Sequence, residues 1–312
     1  MTTQRRGILL GAAAYLLWGL FPLYFPLLFP AGAGEILAHR IIWSLVMVVA
    51  ALLAMRRLPG LWHIPGRARV LLAVAAVCLS VNWLTYVYGV LSNQVVEASL
   101  GYFINPLVTV ALGVVVLHER LTRLQAVAIG LAAVAVGVLT FSYGSVPWIA
   151  LILALSFASY GLLKKKADAP AFDSLGFETA VLMIPAVGYV LWLSASGAAT
   201  FATQGWLHAS LLVGLGLVTA LPLLLFGAAA TSIPLITLGL LQYITPILQF
   251  LIGVLVFAEP MPAVRWLGFV LVWCALLIFS ADSWRRRRGS PTRGAADAPA
   301  EGVRPAVAGD TA

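Results

Sequence analysis

Charged side chains are scarce in this sequence of 312 residues: they make up 10% of it, whereas hydrophobic residues make up 62%. A soluble globular domain carries about 25% charged residues. A soluble fold would therefore lack the polar side chains needed to cover so much apolar surface. In a bilayer, lipid tails surround the apolar side chains, and helices satisfy their own backbone hydrogen bonds. The composition therefore predicts an all-α membrane protein.

Signatures of enzymes and metal sites are also missing from the sequence. The two cysteines, Cys78 and Cys274, both fall inside apolar runs, which argues against a disulfide scaffold. No Gly-rich loop ending in Lys is present, so we do not expect ATP to drive the activity. His, Cys and carboxylates do not group at metal-ligand spacing. We therefore predict no enzymatic activity, no cofactor and no metal.

Apolar segments fill most of the chain, and a bilayer core needs about 20 helical residues to be crossed. Ten spans are predicted, at 7–28, 36–55, 69–91, 95–117, 123–142, 146–163, 174–194, 209–230, 235–257 and 264–282. Several connections are short, such as Tyr143-Gly144-Ser145, which predicts that sequential helices pack as antiparallel neighbours. From about residue 285 the chain is rich in Arg, Ala, Pro and Gly, which predicts a disordered basic cytoplasmic tail, 285–312.

The positive charges predict how the chain is oriented. With ten spans and a cytoplasmic N-terminus, 17 of the 19 Lys and Arg residues lie in cytoplasmic segments. These are Arg5, Arg6, Arg56, Arg57, Arg67, Arg69, Arg120, Arg123, Lys164, Lys165, Lys166, Arg285, Arg286, Arg287, Arg288, Arg293 and Arg304. Only Arg265 falls in an external loop, and Arg40 lies within the second span. By the positive-inside rule, both termini are expected in the cytoplasm of a bacterium, with the spans in its inner membrane.

Spans four and nine share a pattern that predicts an internal repeat. A Pro, a Gly and a Glu recur at a constant shift of 140 residues, in the pairs Pro106 and Pro246, Gly113 and Gly253, Glu119 and Glu259. The period is five spans, an odd number, so the second copy would enter the membrane from the opposite side. We therefore predict two inverted five-helix halves, 1–144 and 145–284. Secondary transporters are often built this way, with the substrate site near the midplane between the halves.

Several motifs within the spans carry a family resemblance. The most specific is Glu97-Ala98-Ser99-Leu100-Gly101-Tyr102-Phe103-Ile104-Asn105-Pro106-Leu107 in span four. The others are Ala14-Tyr15, Trp18-Gly19, Glu35-Ile36-Leu37, His39-Arg40, Trp43-Ser44, Asn82-Trp83 and Gln242-Tyr243-Ile244 with Pro246. On these residues the chain resembles the drug/metabolite transporter superfamily, in particular the EamA family and its RarD-like branch. The resemblance covers all ten spans and implies a two-repeat, ten-helix transporter, but it does not define a substrate.

Polar and aromatic residues inside the spans are the candidate substrate contacts, because polar groups are costly in hydrocarbon. Pro106 and Pro246 each free a backbone carbonyl, and we predict that they kink their helices beside a central cavity. The candidate substrate-binding residues are Trp18, Asn82, Trp83, Tyr86, Tyr102, Asn105, Gln242, Tyr243 and Thr245. Structural explanations stay open: proline is common in membrane helices, where Asn and Thr satisfy the freed backbone, and Trp and Tyr favour membrane interfaces.

Four ionisable residues near the external face are candidates for gating or coupling: Glu35, His39, Arg40 and Glu97. Arg40 could join Glu35 and Glu97 in a charge cluster at the outer mouth. Alternatively, it snorkels to the interface or links two helices in a salt bridge. His39 titrates near neutral pH, so a proton relay is a further alternative, with Glu97 or Glu178 as its carboxylate.

We expect a secondary transporter, more specifically an exporter, of small organic solutes, drugs or metabolites that works by alternating access. Its partners would be a small-molecule substrate and the lipid bilayer, not nucleic acid, and a homodimer stays open. One alternative is a passive channel, which predicts a continuous polar stripe along several helices. The other is a lipid-modifying membrane enzyme, which predicts paired carboxylates or a His/Asp group at the interface.

Overall fold

A computed structural model of the chain describes residues 3–54, 65–118, 120–169 and 171–289. Within these ranges all regular secondary structure is helical. The helices are α1 (Thr3–Gly19), α2 (Phe21–Tyr24), a 3-10 helix (Phe25–Leu28), α3 (Ala33–Ala54), α4 (Gly66–Leu91), α5 (Val95–Leu117), α6 (Arg123–Tyr143), α7 (Trp148–Ala167), α8 (Ala171–Ala195), α9 (Gly205–Ala230), α10 (Leu235–Leu241), α11 (Ile244–Leu255) and α12 (Ala263–Gly289).

By length and composition, eight helices of the described part could cross a membrane. The number is nine if the bent pair of Thr3–Gly19 and Phe21–Leu28, which meet at 41°, forms one span. Large apolar side chains such as Phe141 and Ile184 are more than three-quarters exposed, as lipid-facing residues are. The prediction of an all-helical, multi-pass membrane protein is confirmed. Each predicted span overlaps one helix or one consecutive set of helices, while the count of ten spans stays a prediction.

Local sequence signals explain several helix ends. Helix α6 begins with a capping box, in which the Thr122 hydroxyl accepts from the Gln125 N–H and the Gln125 side chain accepts from the Thr122 N–H. It ends at Gly144, whose φ of 66° suits glycine. Helix α12 continues to Gly289, so the prediction that the tail is disordered from residue 285 is wrong for its first five residues. The rest of the predicted tail, and Glu119 of the repeat, lie outside the described residues.

The main packing partners in the bundle are not neighbours in sequence. The most extensive contacts join α4 to α7, α5 to α7, α6 to α12, α3 to α9 and α1 to α9. Sequential pairs such as α4 with α5 and α5 with α6 share much smaller contacts. The expectation that sequential helices are the main neighbours is therefore wrong. A short loop determines where the next helix begins, whereas the shapes of the helix faces determine which helix it packs against.

The two ends of the bundle differ in character. One end, called the basic end here, holds the start of α6 at Arg123 and the end of α7 with Lys164, Lys165 and Lys166. The other, called the neutral end, holds the first residues of α3, α5, α7 and α9. A large buried cluster packs near the neutral end, and it includes Phe21, Phe25, Leu28, Ile36, Tyr86, Ile149, Leu153, Leu212 and Leu215.

Candidate functional site

A cavity of about 430 Å³ lies inside the bundle and is lined by residues of α1–α5, α7–α9 and α11 and of the break between α10 and α11. Its size falls in the range of small-molecule binding sites. The lining residues are Tyr15, Trp18, Phe21, Arg40, Ile41, Ser44, Leu79, Asn82, Trp83, Tyr86, Tyr102, Asn105, Pro106, Phe157, Tyr160, Glu178, Thr179, Leu182, Thr219, Leu223, Phe226, Gln242, Tyr243, Thr245, Pro246 and Gln249. Both predicted halves therefore contribute to one space.

Most of the residues singled out from the sequence meet in this cavity. All the candidate substrate contacts line it: Trp18, Asn82, Trp83, Tyr86, Tyr102, Asn105, Gln242, Tyr243 and Thr245. The two prolines, Pro106 and Pro246, and the gating candidate Arg40 line it as well. The other gating candidates, Glu35, His39 and Glu97, lie outside its lining. Whether the lining residues bind a substrate stays a prediction.

The two prolines have different effects on their helices. Helix α5 continues without interruption through Pro106. The ninth predicted span, by contrast, is divided into α10 and α11 at Gln242 and Tyr243, and Pro246 is the third residue of α11. Pro246 has no N–H to donate to the carbonyl of Gln242, which is consistent with a break at this position. The broken segment therefore presents Gln242 and Tyr243 to the cavity.

Arg40 is a buried cation in the cavity wall and is only 4% exposed. Its Nε donates to the Thr219 hydroxyl at 3.0 Å, which connects α3 to α9. Its guanidinium carbon lies 4.2 Å from the ring centre of Trp83 and 5.2 Å from that of Phe21. Its Nη1 has no hydrogen-bond partner among the described residues. The guanidinium is thus held in one orientation with an unused donor.

Two amide side chains present unused acceptors in the same region. Gln249 donates from Nε2 to the Tyr86 hydroxyl at 2.7 Å, and its Oε1 has no partner in the described part of the chain. The Oδ1 of Asn105 is also buried without a described partner. Buried polar atoms are usually paired, so these two oxygens and the Arg40 donor stand out as buried polar groups of the cavity residues whose hydrogen bonds the described residues leave unmade.

Asn82, in contrast, has its hydrogen-bonding capacity largely occupied. Its Nδ2 donates to the Leu153 carbonyl at 2.9 Å and to the Ser156 hydroxyl at 3.1 Å. Its Oδ1 accepts from the Tyr102 hydroxyl at 3.3 Å. Asn82 therefore joins α4 to α7 and orients Tyr102. The Thr245 hydroxyl is likewise occupied, because it donates to the Tyr15 carbonyl at 2.8 Å.

Replacing Asn82 with alanine should reduce stability and transport together. The change leaves a backbone carbonyl and two hydroxyls without their partner, which costs about 1–3 kcal/mol of unfolding free energy. Thermal unfolding in detergent, monitored beside transport in liposomes, would measure both effects. Asn105→Ala is the matched control, because the unpaired Asn105 Oδ1 holds no other helix in place. An Asn82→Ala protein as stable as the original would contradict the structural role assigned to Asn82.

Glu178 is the one acidic residue of the described lining, and an ion pair with Lys164 balances its negative charge. Lys164 lies 3.2 Å from the Glu178 carboxylate, at the basic end. The Tyr160 hydroxyl also bonds to this carboxylate and accepts from Lys164. Glu178 and Lys164 together add no net charge to the cavity, so Arg40 gives it a net positive charge.

The predicted charge cluster of Glu35, Arg40 and Glu97 is not formed. Glu35 instead accepts hydrogen bonds from the Thr200 N–H at 2.7 Å and the Thr200 hydroxyl at 3.0 Å. His39 stacks on Phe201 with ring centres 4.8 Å apart. Both residues thus hold the loop between α8 and α9 against α3. Arg40 points away from them into the cavity, so its interpretation as a snorkelling residue or a salt-bridge partner is wrong.

Glu97 and Glu259 bind the beginnings of helices at the neutral end. Glu97 accepts from the Ile149 N–H at 2.9 Å, near the start of α7. Glu259, in the loop after α11, accepts from the N–H groups of Val95 at 2.5 Å and Val96 at 3.1 Å. Unpaired N–H groups and the helix dipole favour negative charge there. These hydrogen bonds connect α5 to α7 and to the loop between α11 and α12.

The Glu259 contact should make stability depend on pH. Burial raises the pKa of Glu259 from its usual 4.5 to about 7, although the hydrogen bonds from Val96 and Val95 oppose the rise and nearby Glu97 adds to it. Between these values the folded protein binds more protons than the unfolded chain, so this group's contribution to stability falls as pH rises. Above about pH 7 its contribution no longer changes.

Thermal unfolding in detergent from about pH 5 to pH 8 would test this linkage. The melting temperature of the original protein should fall more steeply with rising pH than that of Glu259→Gln, which cannot titrate. Glu35→Gln is a control at another loop contact of the same end. Equal slopes for the original protein and Glu259→Gln would contradict the assigned pKa shift.

The structure also places in the cavity several residues that sequence reasoning did not select. They include Tyr15, Thr219, Phe226 and Gln249. Gln249 lies two turns after Gln242, and a glutamine within an otherwise apolar span is a signal that could have been found. Thr219 carries no such signal, since threonine is tolerated throughout membrane helices. Its relevance comes from its hydrogen bond to Arg40.

Comparison with known proteins gives a consistent picture. The model of the EamA-like transporter family matches residues 5–141. The chain is 56% identical to Protein RarD from Streptomyces exfoliatus over 298 residues, covering 95% of each chain. It is 43% identical to an uncharacterized transporter from Vibrio cholerae, covering 89% of this chain and 93% of the relative. A protein of known crystal structure shares the fold with a TM-score of 0.59 at 18% identity, covering 91% of this chain and 99% of that one.

Proposed function

This chain belongs to the EamA family of the drug/metabolite transporter superfamily, within its RarD-like branch, and from that premise we propose that it is a secondary transporter of small organic solutes. The observation that carries the proposal is a cavity lined by helices from both predicted halves. A site between two repeats, deep within the bundle, is the arrangement that alternating access requires. The direction we propose is export across the bacterial inner membrane.

The pattern of helix contacts supports two five-helix halves, 1–144 and 145–284. In this proposal α1 with α2 corresponds to α7, α3 to α8, α4 to α9, α5 to α10 with α11, and α6 to α12. Contacts between the halves then have equivalents when the halves are exchanged. The contact of α4 with α7 corresponds to that of α9 with α1, the contact of α5 with α7 to that of α11 with α1, and the contact of α3 with α9 to that of α8 with α4. Three equivalent pairs also meet each other directly: α3 with α8, α5 with α11 and α6 with α12. An axis of two-fold pseudosymmetry in the membrane plane would produce this exchange.

We further propose that this conformation opens towards the cytoplasm, with both termini on that side. The lining reaches Tyr160 and Glu178, near the lysines of the basic end. Towards the neutral end, Phe21, Phe25 and Tyr86 pack edge to face, with ring centres 5.8 and 5.9 Å apart. Positively charged loops favour the cytoplasm, so the basic end would face inward. The opposite state would need the neutral-end contacts to separate.

A counterflow assay in liposomes would test the transporter directly. Purified full-length protein should exchange a labelled solute against an internal excess of the same solute, without ATP. We expect Asn105→Ala and Gln242→Ala to slow the exchange while keeping protein levels similar, because these residues line the cavity. If no compound from a broad panel of metabolites and drugs is exchanged, or if both variants lose abundance and activity in equal measure, the proposed site is wrong.

The channel and lipid-enzyme alternatives find less support in the geometry. A channel needs a continuous polar path, whereas the side chains of Phe25 and Leu28 between the cavity and the neutral end are fully buried. A lipid enzyme would need acid–base groups exposed at the interface, but Glu35 is bound to Thr200 and His39 is buried against Phe201. Electrical recording from single protein molecules and analysis of lipid products are the respective tests.

A further inference from the structure

The charge of the cavity points to the class of solute that it binds. A charged side chain within a membrane is costly unless it is paired or faces water. Among the described residues, no carboxylate lies within ion-pair distance of Arg40. The nearby acids bind elsewhere: Glu178 to Lys164, Glu35 to Thr200 and Glu97 to Ile149. An anion in the cavity would provide the counter-charge that the protein does not.

The guanidinium of Arg40 is held as a rigid anion-binding group. The contact of its central carbon with the Trp83 ring and the hydrogen bond from Nε to Thr219 hold the guanidinium in place. The Nη1 atom remains as an unpaired donor. Planar guanidinium groups recognise carboxylates through parallel hydrogen bonds, and a fixed plane loses less entropy when it binds. A carboxylate is therefore the group that fits Arg40 best.

The rest of the lining restricts the remainder of the solute. Aromatic side chains, including Trp18, Tyr102 and Phe226, form much of the wall, which favours an apolar body. The oxygens of the lining without a hydrogen-bond donor include the amide acceptors Gln249 Oε1 and Asn105 Oδ1 and the carboxylate oxygen Glu178 Oε1, and each would repel a second anionic group. With one cation that lacks a carboxylate partner and several oxygens without a donor, the described lining suits a single negative charge.

We propose that the solute is an organic monoanion, whose carboxylate pairs with Arg40 while its apolar body packs against the aromatic wall. This inference rests on the proposed transport function, because it assigns the substrate class of the same cavity. It applies to the cavity in the inward-open conformation, where the Arg40 donor is unpaired.

Four compounds with the same aromatic body would test the inference by calorimetric titration of the full chain in detergent. They are 3-phenylpropanoate, its neutral amide, the cation 3-phenylpropylamine and the dianion phenylsuccinate. We expect 3-phenylpropanoate to bind about 10- to 100-fold more tightly than each of the others, because one charge-assisted hydrogen bond corresponds to a difference in affinity of about this size. Arg40→Gln should remove this preference, and Thr219→Val, which removes the partner of Nε, should reduce it.

Equal binding of the amide, tighter binding of the amine or dianion, or an unchanged preference in both variants would overturn the inference, as would failure of all four to bind. Thr219→Val keeps the test decisive if Arg40→Gln does not fold. Counterflow of the same compounds separates this inference from the transport proposal. Binding of 3-phenylpropanoate without any counterflow would support the anion site and contradict transport. Counterflow of the amine or amide alone would support transport and contradict the anion site.

Discussion

Replacing Arg40 with methionine should lower transport by at least about 100-fold while leaving the protein as stable as before, or more stable. Methionine keeps much of the apolar stem that packs near Trp83 and Phe21. It removes a buried charge that has no carboxylate partner among the described residues, and such a charge costs stability in the folded state. The loss of transport follows because the solute loses its counter-charge. Counterflow in liposomes and thermal unfolding would measure the two effects.

Arg40→Lys distinguishes a guanidinium site from a simple positive charge. Lysine keeps the charge but cannot stack as a plane on Trp83 while donating to Thr219. We therefore expect Arg40→Lys to recover at most about a tenth of the original rate, which corresponds to one lost charge-assisted hydrogen bond. Full recovery would mean that charge alone matters. A large fall in melting temperature for Arg40→Met would mean that Arg40 has a structural role.

The sequence located Arg40 along its helix but not the direction in which its side chain points. Its position one turn into the second span placed it near the external face, beside Glu35 at the start of the same helix. In the structure, Glu35 turns towards the loop at Thr200, whereas Arg40 turns towards α9 at Thr219. Residues five positions apart lie on different faces of a helix. Which face meets which helix depends on packing that no single span encodes.

The cavity residues could be predicted from the sequence because a polar side chain deep in a membrane span is energetically costly. Polar residues far from either interface need a functional or structural reason, and Asn82, Asn105 and Gln242 all line the cavity. The sequence could not separate the residues whose hydrogen bonds are already made from those with free atoms. Asn82 is fully engaged by α5 and α7, whereas Asn105 keeps an unpaired oxygen. That difference depends on contacts between residues up to 74 positions apart.

The carboxylates show most clearly what the sequence left undetermined. Glu97 stood out in the sequence as an acid near a span end, and Glu259 as a member of the repeat. Their partners are backbone N–H groups of other helices, at Ile149 for Glu97 and at Val95 for Glu259. Almost every residue type has a backbone N–H, so the donors at the start of a helix cannot be identified by searching the sequence for complementary charges. The predicted cluster with Arg40 failed for this reason.

Enlarging Gly101 should disrupt the fold more than enlarging a glycine that has open space beside it. A Cβ atom at Gly101 would lie 2.7 Å from the Ala150 carbonyl oxygen and 3.0 Å from the Ala150 Cα. These are backbone atoms of α7, so only separation of α5 from α7 could make room. We expect Gly101→Ala to lower the free energy of unfolding by about 1–3 kcal/mol, and Gly101→Leu to prevent recovery of folded protein. Size-exclusion profiles and thermal unfolding of purified protein would measure this.

Gly161 provides the matched control, because it lies on α7 itself and no described atom approaches within 4 Å of its position for a Cβ. Gly161→Leu should fold normally, since the new side chain meets open space and leucine favours helix more than glycine does. Close approach of backbones through small residues is a main source of helix association in membranes, where burial of apolar surface contributes little. Helices α5 and α7 both supply lining residues of the cavity, Asn105 and Tyr160 among them, so Gly101→Ala should slow counterflow in any protein that still folds. Equal tolerance of leucine at Gly101 and Gly161 would mean that this close contact between α5 and α7 does not exist in the membrane.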